Sequence, residues 1–223
     1  MCIHMKEKRL FVGCFNKSVI LTYVGLASAI SGIFITLVGG DNKAFFIANI
    51  LLIVSGICDL FDGVVARKCK RNDTQKAFGI QIDSLVDVIA FLVFPATLLM
   101  KSLSGVTGYV GLVISIVYVI CGVTRLAWFN ITTDGNTRFY SGLPVTYSAL
   151  IIPVFNLIVS FTFVQNLLGV LISQGIILMV LYVAIALLYI LNVPIKKPRG
   201  IWCIVFSVLA IVVSGAFVFL CLK

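Results

Sequence analysis

The sequence has few charged residues. Only 11% of its 223 residues are charged, whereas 61% are hydrophobic, and a soluble domain of this size usually carries about 25% charged residues. Charge-free runs of about twenty residues, such as 19–38 and 201–222, are long enough to cross a bilayer core of about 30 Å. The composition therefore excludes a soluble globule and predicts a polytopic membrane protein.

Histidine is nearly absent, and cysteine shows no pattern. His4 is the only histidine, which argues against a histidine-based catalytic triad. The seven cysteines have no paired spacing, and several lie inside apolar runs, as expected of packing thiols rather than of disulfides or a zinc site. No small-residue cleavage site precedes the first apolar run, so we expect no removable signal peptide.

The basic residues lie between the apolar runs. The net charge is +9, but no aromatic–basic surface typical of nucleic-acid binding is present, and we expect no nucleic-acid partner. Short basic segments between apolar spans set membrane topology and attract anionic lipid headgroups.

The apolar runs predict an all-α transmembrane bundle of about seven spans. The predicted spans are residues 18–39, 44–66, 79–101, 106–129, 143–163, 168–192 and 201–222. They form one membrane domain over 18–222. Residues 1–17 are a separate segment, and their mixture of basic and apolar residues fits an amphipathic surface helix and an extended basic tail equally well.

Counting Lys and Arg on alternating sides of these spans gives an orientation. All but three of the seventeen lie on one side, the exceptions being Lys43, Lys101 and Lys223. Since positive charge stays in the cytosol, the N-terminus and the loop after the second span are predicted to be cytosolic.

Four of the eight acidic residues lie within or beside apolar spans, where a carboxylate costs about 2.5–3.5 kcal/mol near a helix centre. They are Asp59, Asp62, Asp83 and Asp87. Spacings of three and four residues place each pair on one helix face. The two spans are antiparallel about a loop centred near Asn72, so the pairs lie at matching heights and can converge.

Converging carboxylates repel one another, by about 4 kcal/mol for a pair roughly 4 Å apart at an effective dielectric near 20. An all-oxygen cluster suits a hard divalent cation such as Mg²⁺, Mn²⁺ or Ca²⁺ and disfavours zinc. Two alternatives remain open at this point. The carboxylates can pair with Arg67 and Lys68 as helix-end anchors, or they can mark a cation or proton pathway.

The full pattern of this stretch is more specific than its acids. It reads Asp59-x-x-Asp62-Gly63-x-x-Ala66-Arg67, then eleven residues, then Gly79-x-x-x-Asp83-x-x-x-Asp87. This resembles the signature of the CDP-alcohol phosphatidyltransferase family, with all of its defining positions occupied. The gap before Gly79 is three residues longer than is usual in the family, and we expect the extra residues in the polar loop 68–76.

The resemblance implies that an alcohol hydroxyl attacks the lipid-linked phosphate of a CDP-lipid and that CMP leaves. By the same resemblance the four aspartates hold two divalent cations, Mg²⁺ or Mn²⁺, and Asp87 is the general base. It also implies a homodimer and a CDP-lipid site formed by Asp62, Gly63, Ala66, Arg67 and Gly79. Gly63 and Gly79 could instead serve close helix packing.

Three segments resemble the phosphatidylserine synthase branch of the family. They are residues 83–91 with Pro95 and Ala96, residues 125–130, and residues 142–144. This resemblance implies CDP-diacylglycerol and L-serine as substrates, in a prokaryotic cytoplasmic membrane, with the site open to the cytosol. Glycerol-3-phosphate or an inositol-type alcohol is the alternative acceptor, and a cation or proton transporter is the alternative of another class.

Two arginines outside the signature are candidates for contact with the acceptor. Arg125, near the cytosolic end of the fourth span, could bind the serine carboxylate or a phosphate, or could be a topology anchor that snorkels to the headgroups. For Arg138 we favour the anchor role.

Overall fold

The computed structural model describes residues 13–14, 16–103, 108–132, 139–163, 170–196 and 201–222, and these are mainly helical. A 3₁₀ turn, Lys17–Val19, leads into the first helix, and another, Val145–Tyr147, leads into the sixth. The helices are α1 (Ile20–Val38), α2 (Asn42–Lys68), α3 (Asp73–Asp87), α4 (Phe94–Ser102), α5 (Gly108–Thr132), α6 (Ser148–Phe163), α7 (Val170–Ile190) and α8 (Ile201–Leu222).

Five helical stretches are long and apolar enough to cross a membrane. They are Lys17–Val38, Asn42–Lys68, Asp73–Ser102, Tyr109–Thr132 and Ile204–Leu222. The stretches Val145–Ser160 and Gly175–Ile190 are shorter apolar helices. These findings confirm an all-α polytopic membrane protein, and the number of seven spans stays a prediction.

The connection between α2 and α3 is shorter than expected. Only residues 69–72 lie outside the two helices, whereas the sequence predicted a polar loop over 68–76. A capping box starts α3 early, because the Asn72 side chain accepts from the Gln75 backbone N–H and the Gln75 side chain accepts from the Asn72 N–H. Part of the longer gap between Arg67 and Gly79 is therefore helical and does not belong to the loop.

A small antiparallel ribbon, not predicted from the sequence, joins two of the connections. Strand β1 (Phe139–Ser141) pairs with β2 (Pro194–Lys196). Gly142 follows β1 with a φ of +75°, and a Cβ there would lie 2.9 Å from the carbonyl oxygen of Tyr189. Its N–H donates to the carbonyl of Val193 at 3.0 Å. The ribbon thereby fixes the start of α6 beside the end of α7.

Small residues bring α1 close to α2. A Cβ on Gly25 would lie 3.1 Å from that of Cys58, and the Ser55 hydroxyl donates to the Gly25 carbonyl at 3.0 Å. The Ser28 hydroxyl donates to the Leu51 carbonyl at 3.0 Å. Close backbone approach with short hydrogen bonds is typical of helix pairs in membranes, and here it holds α1 against the face of α2 that carries the acids.

A π-helical segment, Val88–Val93, joins α3 to α4 and begins directly after Asp87. The carbonyl of Phe91 lacks the usual α-helical donor, because the residue four positions later is Pro95, which has no N–H. Hydroxyl groups from two other helices donate to this carbonyl instead, from Tyr118 at 2.8 Å and from Ser148 at 3.1 Å. These bonds tie α5 and α6 to the turn that follows Asp87.

We predict that Tyr118→Phe and Ser148→Ala each destabilise the protein by about 1 kcal/mol, and that the double variant loses more than the sum. The reason is that only the double variant leaves the buried Phe91 carbonyl without either hydroxyl donor. Denaturation in detergent measures this, with Tyr109→Phe, which is 89% exposed, as the control. Simple additivity would show that the two hydroxyls do not share this carbonyl.

Candidate metal and substrate site

The structure brings all four predicted aspartates together. Carboxylate oxygens of Asp59, Asp83 and Asp87 lie within 4.8 Å of one another. Asp62 is within hydrogen-bonding reach of Asp83, and Asp59 is within reach of Asp87. These are the two pairs that the sequence predicted from matching heights on antiparallel helices. Asp62 and Asp83 lie nearer the 69–72 connection, and Asp59 and Asp87 lie deeper along the helices.

The carboxylates line a small, largely buried cavity. Asp62 and Asp87 are each 8% exposed. Thr22 on α1 also lines the cavity, and its hydroxyl donates to Asp62 at 3.1 Å. Sequence reasoning did not single out Thr22, because a lone threonine in an apolar span carries no signal without knowledge of which helix packs against α2.

The donor set fits a hard divalent cation. Every candidate ligand atom in the cluster is a carboxylate oxygen, and oxygens from three side chains lie close enough to share one ion. Unneutralised carboxylates at this separation would repel one another strongly in a buried site. Asp59, Asp83 and Asp87 can therefore bind a metal ion, and Asp62 lies beside them in the same cavity.

A groove of about 290 Å³ lies beside the cluster, between α2, α6 and α8. Gly63 and Arg67 line it on the α2 side, and Tyr147 lines it from the opposite side. Asp59 lines both this groove and the carboxylate cavity. A molecule in the groove would therefore reach the metal-binding residues directly. Ala66 is half-buried on α2, one turn beyond Asp62.

The two glycines of the signature are not packed against neighbouring helices. A Cβ on Gly63 would meet only Nη1 of Arg67, at 3.7 Å, and one on Gly79 only Nη1 of Arg71, at 3.5 Å. By contrast, a Cβ on Gly56 would clash with Ala149 at 2.6 Å. Gly56 serves close helix packing, whereas only the end of an arginine side chain lies within 4 Å of a Cβ on either signature glycine.

Arg125 approaches the cluster from α5. It is 6% exposed, its guanidinium lies 5.0 Å from the centre of the Phe129 ring, and it attracts the carboxylate of Asp87. It lines a cavity of about 720 Å³ together with Trp128 and Asn192. An arginine that snorkels to the headgroups would be exposed, so this burial favours a role at the site. Arg138 lies outside the described residues.

A side-chain contact also joins α5 to the acid-bearing face of α3. The Asn130 amide donates to the Ser84 hydroxyl at 2.9 Å, and Ser84 directly follows Asp83. Sequence reasoning noted both residues only as part of a resemblance. The structure shows that Ser84 on α3 contacts Asn130 on α5.

The matches to known proteins agree with this geometry. The family model for CDP-alcohol phosphatidyltransferase matches residues 15–211, and the chain belongs to this family, as the signature indicated. The chain is 35% identical over 138 residues to the archaetidylserine synthase of Methanothermobacter thermautotrophicus, covering 62% of this chain and 56% of that protein.

Two further relatives are named CDP-diacylglycerol–serine O-phosphatidyltransferase. The Helicobacter pylori protein is 36% identical over 113 residues, which is 50% of this chain and 46% of the relative. The Methanocaldococcus jannaschii protein is 31% identical over 151 residues, which is 68% of this chain and 67% of the relative. The chain thus spans about half to two thirds of the length of these relatives.

We predict that Mn²⁺ or Mg²⁺ raises the unfolding temperature of the protein and that Asp62→Asn removes most of this rise. Without metal, Asp62→Asn should be at least as stable as the original chain, because an amide at this position cannot repel the neighbouring carboxylates. Thermal unfolding in EDTA and in excess metal measures both effects.

The matched control is Asp73→Asn, an exposed acid on the first turn of α3 that pairs with Lys76. It should leave the metal response unchanged. A destabilised Asp62→Asn in EDTA with a normal metal response would contradict a metal site here.

Proposed function

We propose that this protein transfers the phosphatidyl group from CDP-diacylglycerol to the hydroxyl of L-serine, forming phosphatidylserine and CMP. The observation that supports this best is the four-carboxylate cluster itself, which shares Asp59 with the groove that Arg67 lines and lies close enough to the buried Arg125 for that guanidinium to attract Asp87. The relatives named for serine transfer, two on CDP-diacylglycerol and one on an archaeal lipid, support serine as the acceptor.

In this proposal the groove along α2 binds the CDP-lipid. The open backbone at Gly63, Ala66 and Gly79 lets the nucleotide approach both helices, and Arg67 donates its fork of N–H groups to the diphosphate. Asp62 has a double role, since it contacts both the CDP-lipid and the metal.

Asp59, Asp62, Asp83 and Asp87 hold two divalent cations, Mg²⁺ or Mn²⁺. When bound, these ions neutralise the carboxylates and stabilise the charge that develops on the diphosphate as its bond breaks.

Asp87 is the general base, and Arg125 binds the serine carboxylate. Arg125 lies close enough to Asp87 to attract it, so one serine could contact both residues. The serine oxygen forms a bond to the lipid-linked phosphorus, the bond from that phosphorus to CMP breaks, and the hydroxyl proton passes to Asp87. CMP leaves with the electron pair of the broken bond.

A phosphorylated acceptor would need more positive charge than the described cavity holds. Among the described residues that line the α5 cavity, Arg125 is the single cation. One guanidinium matches a serine carboxylate, whereas glycerol-3-phosphate carries a phosphate of higher charge. This observation favours serine over glycerol-3-phosphate or a phosphorylated inositol-type acceptor.

We also propose that the protein lies in the cytoplasmic membrane of a prokaryote as a homodimer, with its N-terminus and the site facing the cytosol. The excess of Lys and Arg on the site's side of the bundle supports the orientation. In this arrangement CDP-lipid enters from the inner leaflet and serine from the cytosol. Residues 18–222 form the membrane domain, and the proposed surface segment 1–17 lies largely outside the described residues.

The function is tested by incubating purified protein in liposomes with CDP-diacylglycerol, Mg²⁺ or Mn²⁺ and one candidate acceptor at a time, while CMP release is followed. We predict release with serine alone, and a loss of about 10²- to 10⁴-fold in Asp87→Asn, as for removal of a general base. The control is Asp41→Asn at the opposite end of α2, where either residue caps the helix equally well.

Each other outcome would change the proposal in a defined way. Release with a phosphorylated acceptor alone would keep the family reaction and overturn serine as the acceptor. No release with any acceptor, from folded protein that binds metal, would favour the transporter alternative.

The orientation has its own test, which uses a native cysteine. Cys69 is half-exposed in the 69–72 connection, and Gly40, between α1 and α2, has no atom within 4 Å of a Cβ placed on it. In intact cells an impermeant maleimide should label a Gly40→Cys variant that lacks other cysteines and should not label Cys69. Inverted vesicles should give the reverse pattern, and the opposite result would invert the topology.

A further inference from the structure

The connection between α2 and α3 supplies a second arginine to the open face of the site. Arg71 directly precedes Asn72, the residue that caps α3, and its guanidinium folds back along the helix to Gly79. Gly79, Asp83 and Asp87 are spaced four residues apart, so they form one stripe on α3. Arg71 thus lies at the outer end of the stripe whose inner end is Asp87.

Arg67 has the equivalent position on α2. Its guanidinium lies over Gly63, as that of Arg71 lies over Gly79. Within the part of the chain that the structure describes, neither arginine side chain makes an ion pair or a hydrogen bond. The nearby acid Asp73 is occupied, since it pairs with Lys76 at 3.0 Å. Each guanidinium therefore lies over one glycine of the signature, with donors that no described residue occupies.

The backbone of this connection is held in place. The Asn72–Gln75 capping box fixes the residue after Arg71, and the Asn16 amide donates to the Gln75 side chain at 3.4 Å. A long side chain that starts from a fixed backbone position loses less freedom on binding a ligand than one on a mobile loop.

The charges of the site call for two cations at this position. The net charge of four ionised carboxylates and two divalent cations is zero. The diphosphate of a CDP-lipid, which carries about two negative charges, therefore needs further positive charge. Arg67 can neutralise one of these charges. A second cation must neutralise the other.

We propose that Arg71 is a second diphosphate-binding residue, which contacts the nucleotide from the α3 side as Arg67 does from the α2 side. This rests on the proposed function, since the ligand is the diphosphate of that substrate. Arg71 belongs to the extended stretch between Arg67 and Gly79 and is not a defining position of the family signature. The extension then has a role, because it carries a cation to Gly79.

The test compares Arg71→Gln with Lys70→Gln, which removes the same charge from an exposed neighbouring position. Equilibrium binding of CDP in the presence of Mg²⁺ is measured on purified protein, independently of turnover. We expect Arg71→Gln to weaken CDP binding and to raise the KM for CDP-diacylglycerol by about tenfold or more, as for loss of a charge-assisted hydrogen bond. The KM for serine and the unfolding temperature should not change.

Arg71→Lys separates the fork of a guanidinium from a simple positive charge. We expect it to restore binding only in part. If Arg71→Gln and Lys70→Gln weaken CDP binding equally, the effect is one of general surface charge and the proposal is wrong. If the original chain itself neither binds CDP nor releases CMP, the proposed function fails instead, so the two failures are distinct.

Discussion

The mutual repulsion of four carboxylates in an apolar bundle is the constraint on which the rest of this structure depends. Asp59, Asp62, Asp83 and Asp87 approach one another between two long helices, and no pair of flexible loops could hold such charges together without a bound cation. Two rigid helices joined by a four-residue connection can, because each helix has other packing that keeps it in place. The result is an unfavourable arrangement of charge that could bind a divalent cation.

The packing that resists this repulsion is polar as well as apolar. Thr22 donates to Asp62 from α1, and α1 is itself held by short bonds to α2 at Ser28 and Ser55. Behind Asp87, Pro95 leaves the Phe91 carbonyl of the π-helical segment without its usual backbone donor, and the hydroxyls of Tyr118 and Ser148 donate to it. A π segment next to a reactive side chain is a recurrent feature of functional sites. Here it links the proposed base to two further helices.

Two regions of different chemistry lie near the cluster. The groove along α2 has an open helix backbone and Arg67, whereas the cavity along α5 has the buried Arg125. An enzyme that joins a lipid-linked nucleotide to a small polar alcohol must hold both at once without letting either fill the place of the other. A carboxylate cluster that lies beside the groove and near Arg125 can meet this requirement, and its candidate residues come from α2, α3 and α5.

The sequence by itself determined the membrane class, the family and the four aspartates. Low charge and long apolar runs indicate a membrane-spanning protein. The spacing of the aspartates on two antiparallel helices predicts which aspartates meet. Arg67 and the two glycines were found in the same way, since a signature of fixed spacing lies along one continuous stretch of chain.

Only the tertiary structure decided the contributions of α1, α5 and the connection between α2 and α3. The position of Thr22 beside Asp62, the burial of Arg125 and the approach of Arg71 to Gly79 depend on how helices pack and on where a capping box starts α3. These are relations between segments distant in sequence or set by side-chain geometry, and periodicity along one helix carries no record of them.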